Sequence, residues 1–206
     1  MLVRLHYLRF RLREAKFEPN SYGFRPGRSC HDAIQAIFNS ISKKPKWILD
    51  ADIAKCFDKI NHDALLQKLN TYPSIRRLIK SWLKAGVMDN GTFSPTNEGT
   101  PQGGIISPLL ANIALHGMEE RIKQHAISMK GEKSKNRRAL SLIRYADDFV
   151  IIHKDQTVVE ECQRIINKWL NDMGLELKPS KTKITHTFEG FDFIGFNIRQ
   201  YKVGKT

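Results

Sequence analysis

Two adjacent aspartates, Asp147 and Asp148, lie between two short apolar runs, residues 139–143 and 149–152. Each run is partly β-branched or aromatic, which predicts two buried strands with the aspartates in the turn of a hairpin. Such a turn presents carboxylate oxygens on a stiff support, as a hard divalent cation requires. Asp is also a common turn residue, so a plain turn is the competing interpretation of this pair.

A third aspartate, Asp52, ends another largely apolar run that begins at Lys46. An unpaired carboxylate at the end of a buried strand is costly, so we expect this one to have a chemical role. If the two segments are neighbours in one sheet, Asp52 and Asp147 converge. Such carboxylates can hold two Mg²⁺ ions about 3.5–4 Å apart, which activate an attacking hydroxyl and stabilise the leaving oxygen in phosphoryl transfer.

The composition indicates a folded chain with a polyanionic partner. Of 206 residues, 34 are Lys or Arg and 21 are Asp or Glu, for a formal net charge of +13. This balance favours nucleic acid first and an anionic membrane surface second. No apolar run approaches the roughly 20 residues of a membrane span. We expect nucleic acid, and no membrane, as the partner. Three widely spaced cysteines predict free thiols in a reducing cytoplasm, not a disulfide frame or zinc site.

Two glycine-rich loops are candidate ligand platforms. Residues 22–28 combine Arg25 and Arg28 with two aromatic side chains, a mixture suited to stacking and phosphate contact. A packed turn with solvated arginines is the alternative. Residues 99–104 contain two consecutive glycines, which allow close approach of a ligand, although a plain flexible loop is the alternative here.

The stretch 121–138 predicts an exposed, mobile basic insertion. It holds seven basic residues against the single acid Glu132. As a functional segment it would contact phosphates without reading sequence, whereas a solvated surface loop is the competing interpretation. The candidate nucleic-acid contacts in it are Lys130, Lys133, Lys135, Arg137 and Arg138.

The elements that must position these residues alternate between helices and short strands. The clearest helix pattern runs from Val158 to Met173, and another places Leu78, Ile79, Trp82 and Leu83 inward. A strand ending at Asp52 and a hairpin at Asp147 would form one antiparallel sheet with long helices on one face. The predicted fold class is therefore α+β, with a layer resembling a polymerase palm.

At this point the sequence resembles the fingers and palm of bacterial group II intron reverse transcriptases. The resemblance covers residues 17–201 and depends on several motifs in order, each weak alone. These motifs are residues 20–29, 50–66, 99–114, 145–148, 174–184 and 191–196. The resemblance implies an RNA-directed DNA polymerase of a mobile element, which extends a DNA primer with dNTP on an RNA template, namely intron RNA.

The same resemblance implies a role for each matching residue. Asp52 and Asp147 would be side-chain ligands of a Mg²⁺ pair, with Asp148 supporting the metal site. The carbonyl of Ile53 would complete one coordination shell. Lys181 resembles the lysine proposed to protonate the departing pyrophosphate.

Three further residues would form the nucleotide pocket. Phe57 would lie under the sugar, where its ring clashes with a 2′-hydroxyl and so favours deoxynucleotides. Gln102 and Gly103 would line the pocket beside it.

The resemblance has gaps at both ends of the chain. Residues 1–16 do not match the family's basic segment that grips the triphosphate, so we divide the chain into residues 1–16 and a fingers–palm domain at 17–206. A helical thumb and the maturase region are expected after Thr206 in the family, and a partner chain could supply them.

Two other functions stay open. The chain could be an inactive RNA-binding fragment of a decayed or split intron protein, which the net charge and both truncations favour. A nucleotide cyclase with a palm fold would use the same kind of carboxylate-bound metal ions, but the motif order and residues 101–103 argue against it.

Overall fold

The computed structural model describes residues 14–89, 92–94, 96, 98–100 and 106–202. Helices and strands alternate along this part of the chain, with one 3₁₀ turn at Pro179–Lys181. The elements, in chain order, are α1 (Cys30–Ile41), β1 (Trp47–Asp52), α2 (Cys56–Lys59), α3 (His62–Leu69), α4 (Pro73–Leu83), β2 (Val87–Asp89), β3 (Thr92–Ser94), α5 (Ser107–Leu115), α6 (Met118–Ser128), α7 (Lys133–Ala139), β4 (Ser141–Tyr145), β5 (Asp148–His153), α8 (Gln156–Asn171), β6 (Lys183–His186), β7 (Phe191–Phe193) and β8 (Phe196–Ile198).

The central sheet has four antiparallel strands in the order β4-β5-β1-β6. The predicted strand that ends at Asp52 and the hairpin at Asp147 are therefore neighbours, which is the condition for Asp52 and Asp147 to converge. Residues of β1 and β5 pair from Trp47 with His153 to Asp52 with Asp148. Two separate hairpins, β2–β3 and β7–β8, complete the strands in the described ranges.

Side chains of the sheet alternate between two hydrophobic cores, one on each face. Leu49 and Ile151 belong to the larger core with the helices α3 to α6 and α8. Ile48 and Ile152 belong to the smaller core with α1 and the β7–β8 hairpin. Helices α3 to α6 and α8 thus lie together on one face, as predicted, but the 12-residue α1 lies with a hairpin on the second face. Because both faces are buried, the strands read as continuous apolar runs.

The helix starts follow local sequence signals. Ser29 caps α1 in a reciprocal capping box, in which its Oγ accepts from the N–H of Asp32 and the Asp32 carboxylate accepts from the N–H of Ser29. Asn61 caps α3 by accepting a 2.9 Å hydrogen bond from the N–H of Ala64. The predicted α+β class is confirmed.

Helix α4 differs from its prediction in the face that it buries. Ile79 and Leu83 are buried, but Leu78 is 37% exposed and Trp82 is 41% exposed. The prediction that all four point inward is therefore wrong for Leu78 and Trp82, because only one stripe of this short helix meets the core.

The basic stretch 121–138 is ordered and helical, not the mobile insertion that its composition predicted. It spans most of α6 and nearly all of α7, and Ile122 and Ala126 are fully buried in the larger core. The Nζ atom of Lys123 donates to the carbonyls of Arg137 and Leu140, which fastens α7 onto α6. Residues 1–13 lie outside the described part, so the domain division at residue 16 stays a prediction. No described helix combines the length and apolar character of a membrane crossing.

Candidate active site

The three predicted aspartates meet at one end of the two central strands. Asp52 ends β1 and Asp148 begins β5, and the two are direct partners in the antiparallel register. Asp147 lies in the turn between β4 and β5, and its carbonyl accepts a 3.3 Å hydrogen bond from the N–H of Ile53. The fold thus brings together carboxylates from opposite halves of the chain.

Burial and the charges of neighbouring aspartates raise the pKa of Asp147, Asp148 and Asp50. The pKa of Asp147 is raised, chiefly by burial and then by the charge of Asp52. Burial also raises the pKa of Asp148, with Asp52 and Asp147 adding to it. The pKa of Asp50 is raised to about 6 by burial and then by Asp148 and Asp192. Negative charge is therefore concentrated in a half-buried place, and a bound cation would relieve the repulsion.

Asp50 was not singled out from the sequence, although a signal for it existed. It lies two residues before Asp52 on a strand, and this spacing places both side chains on the same face of the sheet.

Lys181 supplies a cation at this end of the sheet. Its Nζ atom lies 2.9 Å from Oδ2 of Asp52, and the hydrogen bond and charge of Asp52 raise the pKa of the lysine. The N–H of Lys178 fixes the same 3₁₀ turn to β1 by donating a 2.8 Å hydrogen bond to the carbonyl of Asp52. The ammonium group is more than half exposed, so water competes with this ion pair.

The residue types here fit a divalent metal. Carboxylate oxygens of Asp52, Asp147 and Asp148 are the hard ligands that Mg²⁺ takes. In the part of the chain that the structure describes, no group of three or more His, Cys, Asp or Glu side chains is arranged to hold a metal ion. Ile53, the fourth predicted ligand, lies beside the aspartates at the end of β1.

Phe57 lies in α2, soon after the strand that ends at Asp52, and its ring is partly exposed. The Phe57 carbonyl accepts a 2.5 Å hydrogen bond from the N–H of Thr100 and one of 3.3 Å from its Oγ1. The second glycine-rich loop is thus anchored to α2 at its first residues. Gln102 and Gly103, the predicted pocket residues, lie outside the described residues.

The approach of this loop to α2 requires a glycine at position 99. Gly99 has a φ of +80°, and a Cβ atom there would overlap the main chain of Asp58. Its carbonyl accepts a 2.6 Å hydrogen bond from Nε2 of His62, a buried residue at the start of α3. Only glycine allows this left-handed conformation and this close contact together.

Arg144 joins the turn between β4 and β5 (the aspartate turn, residues 146–147) to two other segments. Its role was not predicted from the sequence. Its Nη1 donates to the carbonyl of Ala146 at 2.8 Å and to Oδ1 of Asn112 at 3.0 Å. Its Nη2 donates to Oγ of Ser21 at 2.7 Å. Burial lowers the pKa of Arg144 to about 10, and the charge of Glu18 opposes this shift, so the group stays cationic at neutral pH. The available signal was a charged residue in a run that otherwise reads as a buried strand.

Gly23 presses the first glycine-rich loop against the aspartate turn. A Cβ atom at Gly23 would overlap the main chain of Ala146, whose own φ is +57°. The Gly23 carbonyl accepts a 2.9 Å hydrogen bond from Nδ2 of Asn112, the residue that also binds Arg144. This loop therefore supports the turn that carries Asp147.

The two arginines of that loop have different surroundings. Arg25 is buried, and its guanidinium donates to the Glu14 carboxylate at 2.6 Å and to the carbonyls of Glu18 and Ser21. It points into the protein, which leaves no outward face for the predicted phosphate contact. Arg28 lies over the ring of Tyr22 at 5.3 Å and is only partly buried.

The five predicted basic contacts lie on α7 and just before it. Two of them already have carboxylate partners, since Arg137 pairs with Glu120 at 2.7 Å and Lys135 with Glu132 at 2.7 Å. The other three side chains are exposed, namely Lys130, Lys133 and Arg138.

Comparison with known proteins shows a family match and a likeness of fold. The family described as "Reverse transcriptase (RNA-dependent DNA polymerase)" matches residues 2–198. A solved structure of apo telomerase from Candida tropicalis, truncated from its C-terminal domain, has a TM-score of 0.73 at 17% sequence identity. The matched region covers 96% of this chain and 44% of the telomerase chain. At this identity the match shows a likeness of fold.

Two curated relatives are more similar in sequence. The group II intron-encoded protein LtrA of Lactococcus lactis subsp. cremoris is 32% identical over 93% of this chain and 41% of its own length. Protein YkfC of Escherichia coli (strain K12) is 32% identical over 90% of this chain and 56% of its own length. The chain thus spans about half the length of these relatives, and it belongs to the reverse transcriptase family, with the group II intron-encoded proteins among its relatives.

Proposed function

We propose that this chain forms the palm and fingers of an RNA-directed DNA polymerase of the group II intron type. In the reaction, a primer 3′-hydroxyl attacks the α-phosphorus of a dNTP paired to an RNA template, and pyrophosphate leaves. The pairing of Asp52 with Asp148, with Asp147 in the adjoining turn, is the observation that carries this proposal. Phosphoryl transfer depends mainly on charge stabilisation at a fixed place, and these carboxylates lie on the two central strands.

Two Mg²⁺ ions, when bound, would supply an activated primer hydroxyl and charge neutralisation on the leaving pyrophosphate. Asp52 and Asp147 would hold them by their side chains. Asp148 would support the site, and the carbonyl of Ile53 would complete one coordination shell.

Lys181 and Phe57 would act on the nucleotide. Lys181 would donate a proton to the departing pyrophosphate, since its ammonium group has further N–H donors besides the one at Oδ2 of Asp52. Phe57 would lie under the sugar and exclude a 2′-hydroxyl by contact with its ring. Gln102 and Gly103 would line the same pocket.

The nucleic-acid partners proposed for this chain are an intron RNA template and a DNA primer. The net charge of +13 supports a polyanionic partner, and Arg28, Lys130, Lys133 and Arg138 offer side chains for phosphate contact. The duplex clamp would come from other parts of a longer protein or from a partner chain. The three cysteines are free, which suits a cytoplasmic location.

Single-nucleotide incorporation tests this function. We expect Mg²⁺-dependent addition of one dNTP to a DNA primer annealed to RNA, at high protein concentration. The double variant Asp147→Asn, Asp148→Asn should lower the rate by at least about a thousandfold, because the ligand charge is lost. Asp63→Asn, Asp172→Asn is the matched control, since it removes two exposed carboxylates elsewhere.

Activity that survives in the double aspartate variant would remove the proposed role of these residues. A folded protein that binds RNA but incorporates no nucleotide at any Mg²⁺ concentration would support the inactive RNA-binding fragment instead.

A further inference from the structure

Phe24 lies in the first glycine-rich loop and contacts the ring of Phe57. The two ring centroids are 5.9 Å apart and the ring planes meet at 80°, an edge-to-face arrangement. Phe24 is 54% exposed, so burial in the core does not explain its position. Edge-to-face contacts of this kind are favourable beyond the area that they bury, and they fix the orientation of both rings.

The main chain holds Phe24 in a conformation that an aromatic residue seldom adopts. Its φ is +57°, in the left-handed region where side chains other than glycine and asparagine are strained. Such strain persists only where the surrounding structure enforces it, and it is concentrated at functional sites.

The enforcing contacts lie on both sides of Phe24. Gly23 is packed against Ala146 and is hydrogen-bonded to Asn112 through its carbonyl. Arg25 is fixed by Glu14 and two main-chain carbonyls. The strained residue between these anchors has its ring directed to Phe57.

Phe57 is partly buried against the larger core, and its main chain is bound to Thr100. Its carbonyl receives both hydrogen bonds from Thr100, but these bonds do not restrict rotation of its side chain. In the described part of the chain, Phe24 is the aromatic residue that contacts the Phe57 ring. The contact with Phe24, together with the packing against the core, therefore defines the orientation of that ring.

We propose that Phe24 is a positioning residue for sugar selection: its edge-to-face contact holds the Phe57 ring where it blocks a 2′-hydroxyl. This inference rests on the proposed polymerase function and extends it to a second aromatic residue. Without the Phe24 ring, the Phe57 side chain can rotate away from the sugar and admit a ribonucleotide. The loop that supports the aspartate turn would thus also set nucleotide choice.

The selectivity for dNTP over rNTP in single-nucleotide incorporation tests this role. Phe24→Ala should lower the selectivity about two- to tenfold, the range expected for loss of one aromatic pair, mainly by faster rNTP incorporation. Phe24→Tyr keeps the ring and should retain the wild-type selectivity. Phe38→Ala is the matched control, since Phe38 is 59% exposed on α1. Unchanged selectivity in Phe24→Ala, or an equal loss with both nucleotides, would overturn the proposal.

A second measurement separates this inference from the polymerase function. With 4-fluorophenylalanine at position 57, the ¹⁹F resonance of the nucleotide-free protein reports the surroundings of that ring. Phe24→Ala should shift and narrow the resonance, whereas Phe38→Ala should leave it in place. A resonance that ignores Phe24→Ala overturns the inference even if the enzyme is active. If the wild type incorporates no nucleotide, the polymerase proposal fails. The ¹⁹F resonance still tests the contact in that case: a shift in Phe24→Ala shows that Phe24 positions the Phe57 ring, and an unchanged resonance shows that it does not.

Discussion

Arg144 connects three parts of the chain that must be aligned for the aspartates to meet. One guanidinium binds the turn at Ala146, helix α5 at Asn112 and, at Ser21, the residue just before the first glycine-rich loop. A planar group with several donors can make these contacts at fixed angles, which a lysine ammonium cannot reproduce. Its cost is the burial of a charge, which the three acceptors and the nearby Glu18 offset.

Replacing Arg144 should therefore destabilise the protein strongly. Arg144→Met leaves buried oxygen atoms of Asn112 and Ala146 without a donor, and we expect a loss of about 3–5 kcal/mol in the free energy of unfolding. Ser21→Ala removes a single contact and should cost about 1 kcal/mol. Urea unfolding followed by circular dichroism measures both. The network has no such importance if Arg144→Met costs no more than Ser21→Ala.

Gly23 gives a second test at the same turn. Gly23→Ala forces the new methyl group into the main chain of Ala146, so we expect a loss of about 1–3 kcal/mol and, from the displaced turn, about a hundredfold slower incorporation. Gly27→Ala is the control, because nothing lies within 4 Å of its Cβ position and only its φ of +70° is unfavourable. Equal incorporation rates for the two variants would contradict a supporting role of Gly23.

The aspartates could be predicted from sequence because the chemistry of each is visible beside its own strand. Asp52 and Asp147 each follow an apolar run, so a charge in an unexpected place marks them. Arg144 also stands as a charge in an apolar run, but neither its role nor that of Phe24 could be assigned from sequence. Their partners come from distant segments, and pairings of that kind are defined only by the tertiary structure.

Secondary structure matched its prediction where the apolar periodicity of a segment agreed with the way the segment packs. Strands β1, β4 and β5 and helix α8 lie close to the predicted segments, since their apolar periodicity agrees with their packing. Helix α4 has four large apolar residues but a single buried stripe. Its sequence therefore could not show that Leu78 and Trp82 stay at the surface. Composition alone also misjudged α7, because its charge does not reveal the fastening contacts of Lys123.

The junction of β5 and α8 should be sensitive to acid. His153 is buried at the end of β5, and its Nδ1 accepts a 3.1 Å hydrogen bond from the N–H of Asp155. Burial lowers the pKa of His153 below its ordinary value of 6.5. Below that pH the unfolded chain therefore takes up a proton that the folded protein does not, so stability falls as the pH drops below 6.5.

His153→Gln keeps a side-chain acceptor and cannot titrate. We expect the variant to lose less unfolding free energy than the wild type between pH 7 and about pH 5. Urea unfolding at several pH values gives both curves, and their difference isolates His153 from other histidines. Parallel curves would show that this residue does not control the acid response.

At the scale of the whole molecule, excess positive charge is the dominant feature. The cations are unevenly neutralised, since Arg137 and Lys135 are paired while Lys130 and Lys133 are exposed without a carboxylate partner in the described residues. The net charge predicted a polyanionic partner, but it could not show which side chains are available. That distinction depends on neighbours such as Glu120, which lies on a different helix.

RNA binding should therefore weaken steeply with salt. Lys130→Gln, Lys133→Gln should reduce the slope of log affinity against log salt by about 1.4 for single-stranded RNA, if each lysine neutralises one phosphate. Lys43→Gln, Lys44→Gln removes two exposed lysines before β1 and is the matched control. Fluorescence anisotropy with labelled RNA at several salt concentrations gives the slopes. An equal reduction of the slope in both variants would indicate that RNA binding depends on the total charge and not on the position of Lys130 and Lys133.

The strand order β4-β5-β1-β6 has a consequence for the order in which the protein forms. β1 lies between two strands from the far half of the chain, so neither of its edges can be satisfied by residues made close to it. Contacts of such high sequence separation carry a large loop-closure entropy and form late. During synthesis, Asp52 therefore cannot meet Asp147 and Asp148 until the chain has been made at least as far as β5. The aspartate cluster cannot form before that point, so a shorter nascent chain has no such cluster.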